Sequence, residues 1–517
     1  MKKFFINNKI NFLFFFISFI CIVAVLGLKN IPFQSTAWLY GNNDASFMQL
    51  GWYFFQNDVW RFPLGSNPNY GDEIASSIVY TDSIPILAFF FKLIRSFIPG
   101  NFQYFSFWYF LCFFFQLFFS FKILKKFTNS DLYSLIGSIF FLIAPIFIFK
   151  INWHGSAAMG GLLLCALYLG LTKEINESKL SWILLIIVAS LVEYSSMLII
   201  IVVYSLLRII NFTFDKKSFF ELTKDFFLIS SLLLFTLYIT GYFEIRMADT
   251  LGIGFGFYKL NLLSPFDSFQ SFNNIAWSRF LPDIKLTSGE ELESFNYFGL
   301  GQILMLIAAF LFLLNKNYKK NLFSIKNNKK IKAFIFISVL MTLWALSNKV
   351  SFGSYTLIEI PLNKYIFAAL SLAGKTGRMF WIVNYFLLIL SIIIIYNCFE
   401  KKTSLSIISL FLIIQVIDVS IGIKSRINFF TPTQLGYELK DPIWENLFKK
   451  YKVFKTTYPR NYPGLFSKFS YLIEKHNIEK TNMVKLARIN RKAVAEAKYN
   501  SYNNFRNRNL ASDTIYV

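Results

Sequence analysis

Apolar runs of roughly 17 to 23 residues, each able to cross a hydrocarbon core of about 30 Å, recur from one end of this chain to the other. That recurrence limits the fold more than any motif does. About eleven such runs can be counted. The clearest lie near 10–28, 103–123, 132–149, 157–172, 226–240, 298–314, 333–347, 379–398 and 404–422. The run over 180–210 is too long for one crossing and carries Glu193 and Tyr194 at its middle, so it is expected to divide into two helices at a tight polar turn. With 55% hydrophobic residues, a chain of 517 has more apolar surface than a water-soluble fold can hide. The fold class expected is an all-α polytopic membrane protein of about eleven transmembrane helices.

Basic clusters orient it, because loops on the cytoplasmic side retain Lys and Arg. Lys2 and Lys3, Lys125 and Lys126, Lys216 and Lys217, the run "NKNYKKNLFSIKNNKKIK" and Lys401 and Lys402 all fall on one side of an eleven-span arrangement. The N-terminus is then cytoplasmic, and segments 29–100, 241–296, 348–377 and 423–517 lie outside. The basic tail is compatible with this, since long domains translocate largely regardless of charge. The first apolar run is expected to be an uncleaved helix, because no small-x-small site ends it. The net charge of +23 accompanies an abundance of Lys, Asn, Ile and Phe and does not by itself call for nucleic acid. Cys21, Cys112, Cys165 and Cys398 all fall inside predicted spans, as packing residues.

The domain expectation is a membrane domain over 1–425, with external loops 29–100 and 241–296 forming one face, and a small extracytoplasmic α/β domain over 426–517. In that tail "YKVFKTTYP", "TNMVKLAR" and "DTIYV" read as short strands, and "GLFSKFSYLIEKHN" and "NRKAVAEAKYNSYNNFRNR" as helices. In the second loop, the glycines of "GFGFYKLNLLSP" suggest close backbone approach; "GIGFGF" has neither the spacing nor the βαβ context of a dinucleotide site.

Candidate chemistry is confined to ionisable groups at the outer ends of the spans. The two histidines, His154 and His476, are far apart, and no metal-ligand spacing, DxD pair or G-x-S-x-G elbow occurs. Asp44, in "YGNNDASFMQLGWYFF", fits two roles, a general base toward a hydroxyl or a helix N-cap. The immediate neighbours of Asp44 are Asn43 and Ala45, and the next acids are Asp58, Asp72 and Glu73, so the sequence offers it no paired acid. His154 sits at an outer turn, as a polar anchor or a substrate contact. Lys375 and Arg378, in "AGKTGRMFWIVNYF", suit a lipid phosphate or ordinary snorkelling to headgroups. Lys259 is a weaker candidate for the same phosphate. Glu193 reads as a cavity acid or a loop acid, and Asp418 as a cavity marker or a helix end.

These features together resemble the GT-C class of polytopic glycosyltransferases, which take sugars from polyprenyl-phosphate carriers. More closely, "NPNYGDEIASSIVYTDSIPILAFFFK", "GFGFYKLNLLSPF", "FNYFGLGQ" and "GKTGRMFWIVNYF" resemble the landmarks of an uncharacterised family of bacterial multi-spanning membrane proteins, over nearly the whole chain. The class carries a catalytic acid in the first external loop, and Asp44 is the position that matches. The resemblance implies a protein of the bacterial cytoplasmic membrane that makes an inverting transfer to an envelope glycan, glycolipid or protein. Asp44 would take the acceptor proton, and Lys375 and Arg378 would neutralise the leaving phosphate. Relatives carry His-Pro at the turn of Glu193, which implies no shared catalytic role there. No cofactor is expected beyond the lipid-linked sugar as substrate, although loop carboxylates and substrate could together hold a divalent metal. The partners expected are the polyprenyl-phosphate sugar, the glycan acceptor and membrane lipids, with no nucleic acid. A transporter or flippase of lipid-linked oligosaccharide would use the same phosphate clamp without a base, and an envelope assembly scaffold would need neither.

Overall fold

The computed structural model describes residues 2–41, 43–74, 76–215, 219–245, 254–269, 276–287, 293–318, 320–371, 374–430, 439 and 441–517. Among them the chain is mostly helical, as a backbone in lipid must be to satisfy its own hydrogen bonds. Among the described residues six helices are long and apolar enough to cross a membrane: Lys9–Leu26, Phe105–Thr128, Tyr194–Thr213, Phe219–Ile239, Thr376–Cys398 and Lys401–Asn428. A seventh crossing results if Asp131–Leu142 and Pro145–Ile151 are taken together; they meet at 50°. The break falls where Pro145, which has no N–H to donate, opens the second helix.

Other apolar runs make shorter helices than their sequence suggests. Gly160–Thr172 has 13 residues, Lys179–Ser190 has 12 and Leu300–Leu314 has 15. At 1.5 Å per residue each reaches only about 18 to 23 Å, less than the hydrocarbon thickness. The first begins and the second ends beside the cavity described below. The expected division at Glu193 is present: one helix ends at Ser190 and the next begins at Tyr194.

The aromatic helix Phe105–Thr128 is the hub of the bundle. It packs against Lys2–Leu26, Asp131–Leu142, Gly160–Thr172 and Trp381–Cys398. Phe14, fully buried, sets its ring edge-on to Phe121 at 5.0 Å. A Cβ at Gly161 would lie 2.6 Å from Phe115, so these two helices approach closely because that side chain is missing. Toward the outside of the bundle, Phe220, Phe227, Leu234 and Phe235 are exposed, as suits a face turned to lipid.

Among the described residues there are also two small sheets. β1 (Lys349–Phe352) and β2 (Tyr355–Glu359) form an antiparallel hairpin. β3 (Val453–Lys455), β4 (Lys480–Thr481) and β5 (Thr514–Tyr516) form a parallel sheet in the order β4-β3-β5. Helices Pro442–Lys450, Phe466–Lys475 and Arg491–Arg506 accompany that sheet, which makes the tail an α/β unit. The expected boundary at 425 falls inside a continuous helix, Lys401–Phe429.

The α/β unit also shares a core with the first long loop. Phe448, Phe454, Phe469 and Ile473 pack with Phe47, Leu50, Phe54 and Tyr70. The loop extends the sheet edge, with Gly71 donating to the Thr481 carbonyl at 2.8 Å and Thr481 to Asn69 at 3.0 Å. Asp72 receives Lys455 at 2.6 Å and also pairs with Lys480. Asp72 is thus a fastening between loop and tail.

Candidate functional site

The first loop, the turn before Gly160, the turn before Tyr194, the segment before Trp381 and the α/β unit converge on one cavity of about 410 Å³. That size lies within the range of small-molecule sites, about 300–1,000 Å³. Its ionisable lining comprises Asp44, Asp82, His154, Glu193, Lys375, Arg378, Lys485 and Arg488. Glu293 stands immediately behind it, bonded to three of these groups.

Three of the stretches singled out in the sequence build this wall. Gly254 lies so near Gly374 that a Cβ would sit 3.1 Å from the Gly374 carbonyl oxygen, and Gly377 donates to the Tyr258 carbonyl at 2.9 Å. The close backbone approach expected from "GFGFY" therefore occurs, against "GKTGR". Asn296 of "FNYFGLG" donates to the Gly377 carbonyl at 3.1 Å. Three stretches distant in sequence thereby fix the position of Arg378.

Arg378 is buried. It donates from Nη1 to Glu193 Oε1 at 2.9 Å and Ser195 Oγ at 3.1 Å, and from Nη2 to Glu293 Oε2 at 2.6 Å. Its guanidinium lies 5.3 Å from the Trp381 ring centre. Lys375 Nζ bonds Glu293 Oε1 at 2.5 Å, and His154 Nε2 meets the same oxygen at 3.1 Å. Burial alone would raise the Glu293 carboxyl; His154, Lys375 and Arg378 together outweigh it and hold the group well below the usual carboxylate range. Lys375 and Arg378, expected to suit a lipid phosphate, both line the cavity. Both cations already have carboxylate partners, and Glu193 is one of them.

Asp44 lines the cavity from the first turn of the helix Asn43–Asn57, inside the helix rather than at its cap. Its carboxylate pairs with Lys485 and lies 4.0 Å from His154 Nδ1. His154, at the end of the helix Pro145–Trp153, thus stands between Asp44 and Glu293. Burial lowers its pKa and the Lys375 and Arg378 charges add to that, against the pull of Glu293. Lys259 does not line the cavity; its ammonium is buried and bonds Ser351 Oγ at 2.6 Å, near the turn of the β1–β2 hairpin. Asp418 lies buried inside the helix Lys401–Phe429, not at its end, and accepts from the Leu300 N–H at 2.8 Å, where the helix Leu300–Leu314 begins, and from Tyr297 Oη at 2.6 Å.

Asp82 is the acid that sequence reasoning missed. It comes from the same loop as Asp44, inside the stretch "SSIVYTDSIP", and the fold brings the two into one cavity although the sequence offers no adjacent pair. Its backbone is left-handed at φ 52°, and Ile84 follows at φ 47°, conformations a non-glycine residue adopts only when its surroundings enforce them. Those surroundings are visible. Ser83 Oγ donates to the Met48 carbonyl at 2.7 Å and meets Thr81 Oγ1 at 2.7 Å, and Tyr104 donates to the Ser83 carbonyl.

Among the described residues the Asp82 carboxylate makes no hydrogen bond or ion pair. Burial raises its pKa, and the Asp44 and Glu193 carboxylates push the same way, outweighing His154 and Lys375. Glu293, Lys485 and Arg488 were also missed; the last two carry no local signal, since the α/β unit delivers them from the far end of the chain. Among the described residues no three His, Cys, Asp or Glu side chains gather in a way that could hold a metal ion.

Fold and site together define a helical membrane protein with a charged cavity at one end of its bundle. The chain belongs to the family described as a domain of unknown function, DUF6311, which matches residues 15–420. That match contains Asp44, Asp82, His154, Glu193, Glu293, Lys375 and Arg378, and ends before Lys485 and Arg488. A comparison with curated proteins gives no match.

Proposed function

We propose that this chain is a glycosyltransferase that moves a sugar from a polyprenyl-phosphate carrier to a hydroxyl of an envelope glycan, glycolipid or protein. The observation that carries the reading is Asp82, a desolvated carboxylate without a hydrogen-bond partner among the described residues. It shares with Asp44 and four cations a cavity at the end of a membrane bundle. A general base must keep a lone pair available and a pKa lifted toward neutrality. Asp82 keeps its lone pairs available and has a pKa raised by burial, whereas the Asp44 carboxylate is engaged by Lys485. The base is therefore assigned to Asp82, and Asp44 becomes the second acid that raises it.

In the reaction, the acceptor oxygen attacks the anomeric carbon as the bond from that carbon to the phosphate oxygen breaks. The acceptor proton passes to the Asp82 carboxylate, and the phosphate leaves on its lipid with the electron pair. Attack opposite the leaving group inverts the anomeric configuration. The proposed orientation places the cavity on the outer face of the bacterial cytoplasmic membrane. It is supported by the basic segment that contains Lys330, which meets the turn after Thr172: Lys330 bonds both the Lys173 carbonyl at 2.8 Å and Glu174 at 2.7 Å.

The test is mass spectrometry of envelope glycans from a deletion strain complemented with wild type, Asp82→Asn or Asp44→Asn at matched membrane levels. Loss of one sugar, restored by wild type and not by Asp82→Asn, is expected. Full restoration by Asp82→Asn would remove the base and leave a lipid-linked oligosaccharide transporter as the better account.

A further inference from the structure

Four cations line the cavity, and three of them are matched. Arg378 bonds Glu193 and Glu293, Lys375 bonds Glu293, and Lys485 bonds Asp44. Arg488 is different. Among the described residues it has no carboxylate partner, and the contact that holds it is the Tyr194 ring, 4.9 Å from its guanidinium carbon. A guanidinium stacked on an aromatic face keeps its N–H fork free for a second ligand.

The segment that carries Arg488 is held firmly. The Ala487 N–H donates to the Tyr80 carbonyl at 2.9 Å, and the Leu486 N–H to Asn461 Oδ1 at 2.9 Å. The Lys485 N–H donates to Tyr70 Oη at 2.9 Å, and that hydroxyl donates to the Lys485 carbonyl at 3.1 Å. Tyr70 and Tyr80 belong to the loop that also supplies Asp82. The α/β unit is thus fastened to the acid-bearing loop at the point where its own arginine enters the cavity.

We infer that Arg488 is the anion-binding residue of this cavity, and that its ligand is a phosphate ester, taken as a fork-shaped pair of hydrogen bonds. The inference rests on the sugar-transfer reading for the identity of that ester, the phosphate of the lipid-linked donor. It also moves the phosphate contact from Lys375 and Arg378, whose charges are spent on Glu293 and Glu193, to a residue of the α/β unit. That unit is therefore part of the binding site.

The test uses the full chain in phospholipid nanodiscs and measures binding of a polyprenyl monophosphate, the matching uncharged polyprenol, and inorganic phosphate. Wild type is expected to prefer the phosphorylated lipid. Arg488→Gln should lose about 10- to 100-fold of that affinity, the effect of removing one charged hydrogen-bonding partner, while polyprenol binding stays unchanged. Arg488→Lys, which keeps the charge but not the fork, should fall between. Loss confined to the lipid phosphate supports a lipid-borne ester; equal loss for inorganic phosphate supports an anion subsite filled from water. A preference that survives Arg488→Gln overturns the inference alone. Wild type that binds polyprenyl phosphate no better than polyprenol overturns the sugar-transfer reading itself. A thermal midpoint and polyprenol affinity that fall together in Arg488→Gln would show a merely structural arginine, and Arg488→Lys would then fail to rescue phosphate binding.

Discussion

Replacing Glu293 by Gln removes one negative charge from the centre of the network while keeping its shape. The carboxylate now accepts from Arg378 on one oxygen and from Lys375 and His154 on the other. A Gln side chain keeps one of those oxygens and turns an NH₂ toward the partners of the other, so either orientation sets donor against donor. Lys375 is 35% exposed, and water screens its loss to at most about 1 kcal/mol. Arg378 is 5% exposed and retains only Glu193, so most of the cost falls there, about 3 kcal/mol for half-breaking a buried pair.

The assay is reversible unfolding in mixed micelles, read as two double-mutant cycles. Glu293→Gln with Arg378→Met should show a coupling of about 2 to 3 kcal/mol, and Glu293→Gln with Lys375→Met less than about 1 kcal/mol. Equal couplings, or an Arg378 coupling below about 1 kcal/mol, would refute the claim that Glu293 is the principal partner of the buried guanidinium.

Two pH effects of opposite sign follow from buried acids. Burial among neutral partners, Gln49 and Tyr40, pushes the Glu474 carboxyl up to about 8. A raised folded-state pKa gives stability that is complete below the unfolded value and is lost as pH rises through the folded one. The thermal midpoint should therefore fall between about pH 4.5 and about pH 8, and Glu474→Gln should flatten that fall. Glu293, held low, contributes stability that is present above the ordinary carboxylate range and lost only in stronger acid, which Glu293→Gln should abolish in the same titration. Gly51→Ala would bring a Cβ to 2.5 Å from Thr81 Cβ, beside Asp82. It should cost about 1 to 3 kcal/mol and lower transfer without touching the cavity, measurable as a reduced turnover at unchanged donor affinity.

Much of the architecture could be read from the chain, because lipid imposes a simple requirement of length and apolarity. The division at Glu193, the strands in "YKVFKTTYP" and "DTIYV" and the close approach of "GFGFY" all have local causes, whereas "TNMVKLAR", expected as a strand, joins the sheet only at Thr481. The site was only half visible. Asp44, His154, Lys375 and Arg378 stand out as polar groups at helix ends, and all four line the cavity. Their pairing does not stand out, since Glu293 lies 85 positions from Arg378, and Lys485 lies 441 positions from Asp44. Asp82 was hidden differently. Its neighbours look like an ordinary turn before the Pro85 helix, and only the strained backbone and tertiary burial set it apart from Asp58, which pairs locally with Arg61 at 3.1 Å.

The central claim concerns Asp82, and the most direct measurement is release of polyprenyl phosphate by the purified protein in nanodiscs, supplied with a panel of polyprenyl-phosphate sugars and an extract of envelope acceptors. The account predicts release with wild type on at least one donor, a product of inverted anomeric configuration, and a rate at least about 100-fold lower in Asp82→Asn at equal donor affinity. Equal rates in wild type and Asp82→Asn, or release with none of the donors, would contradict it.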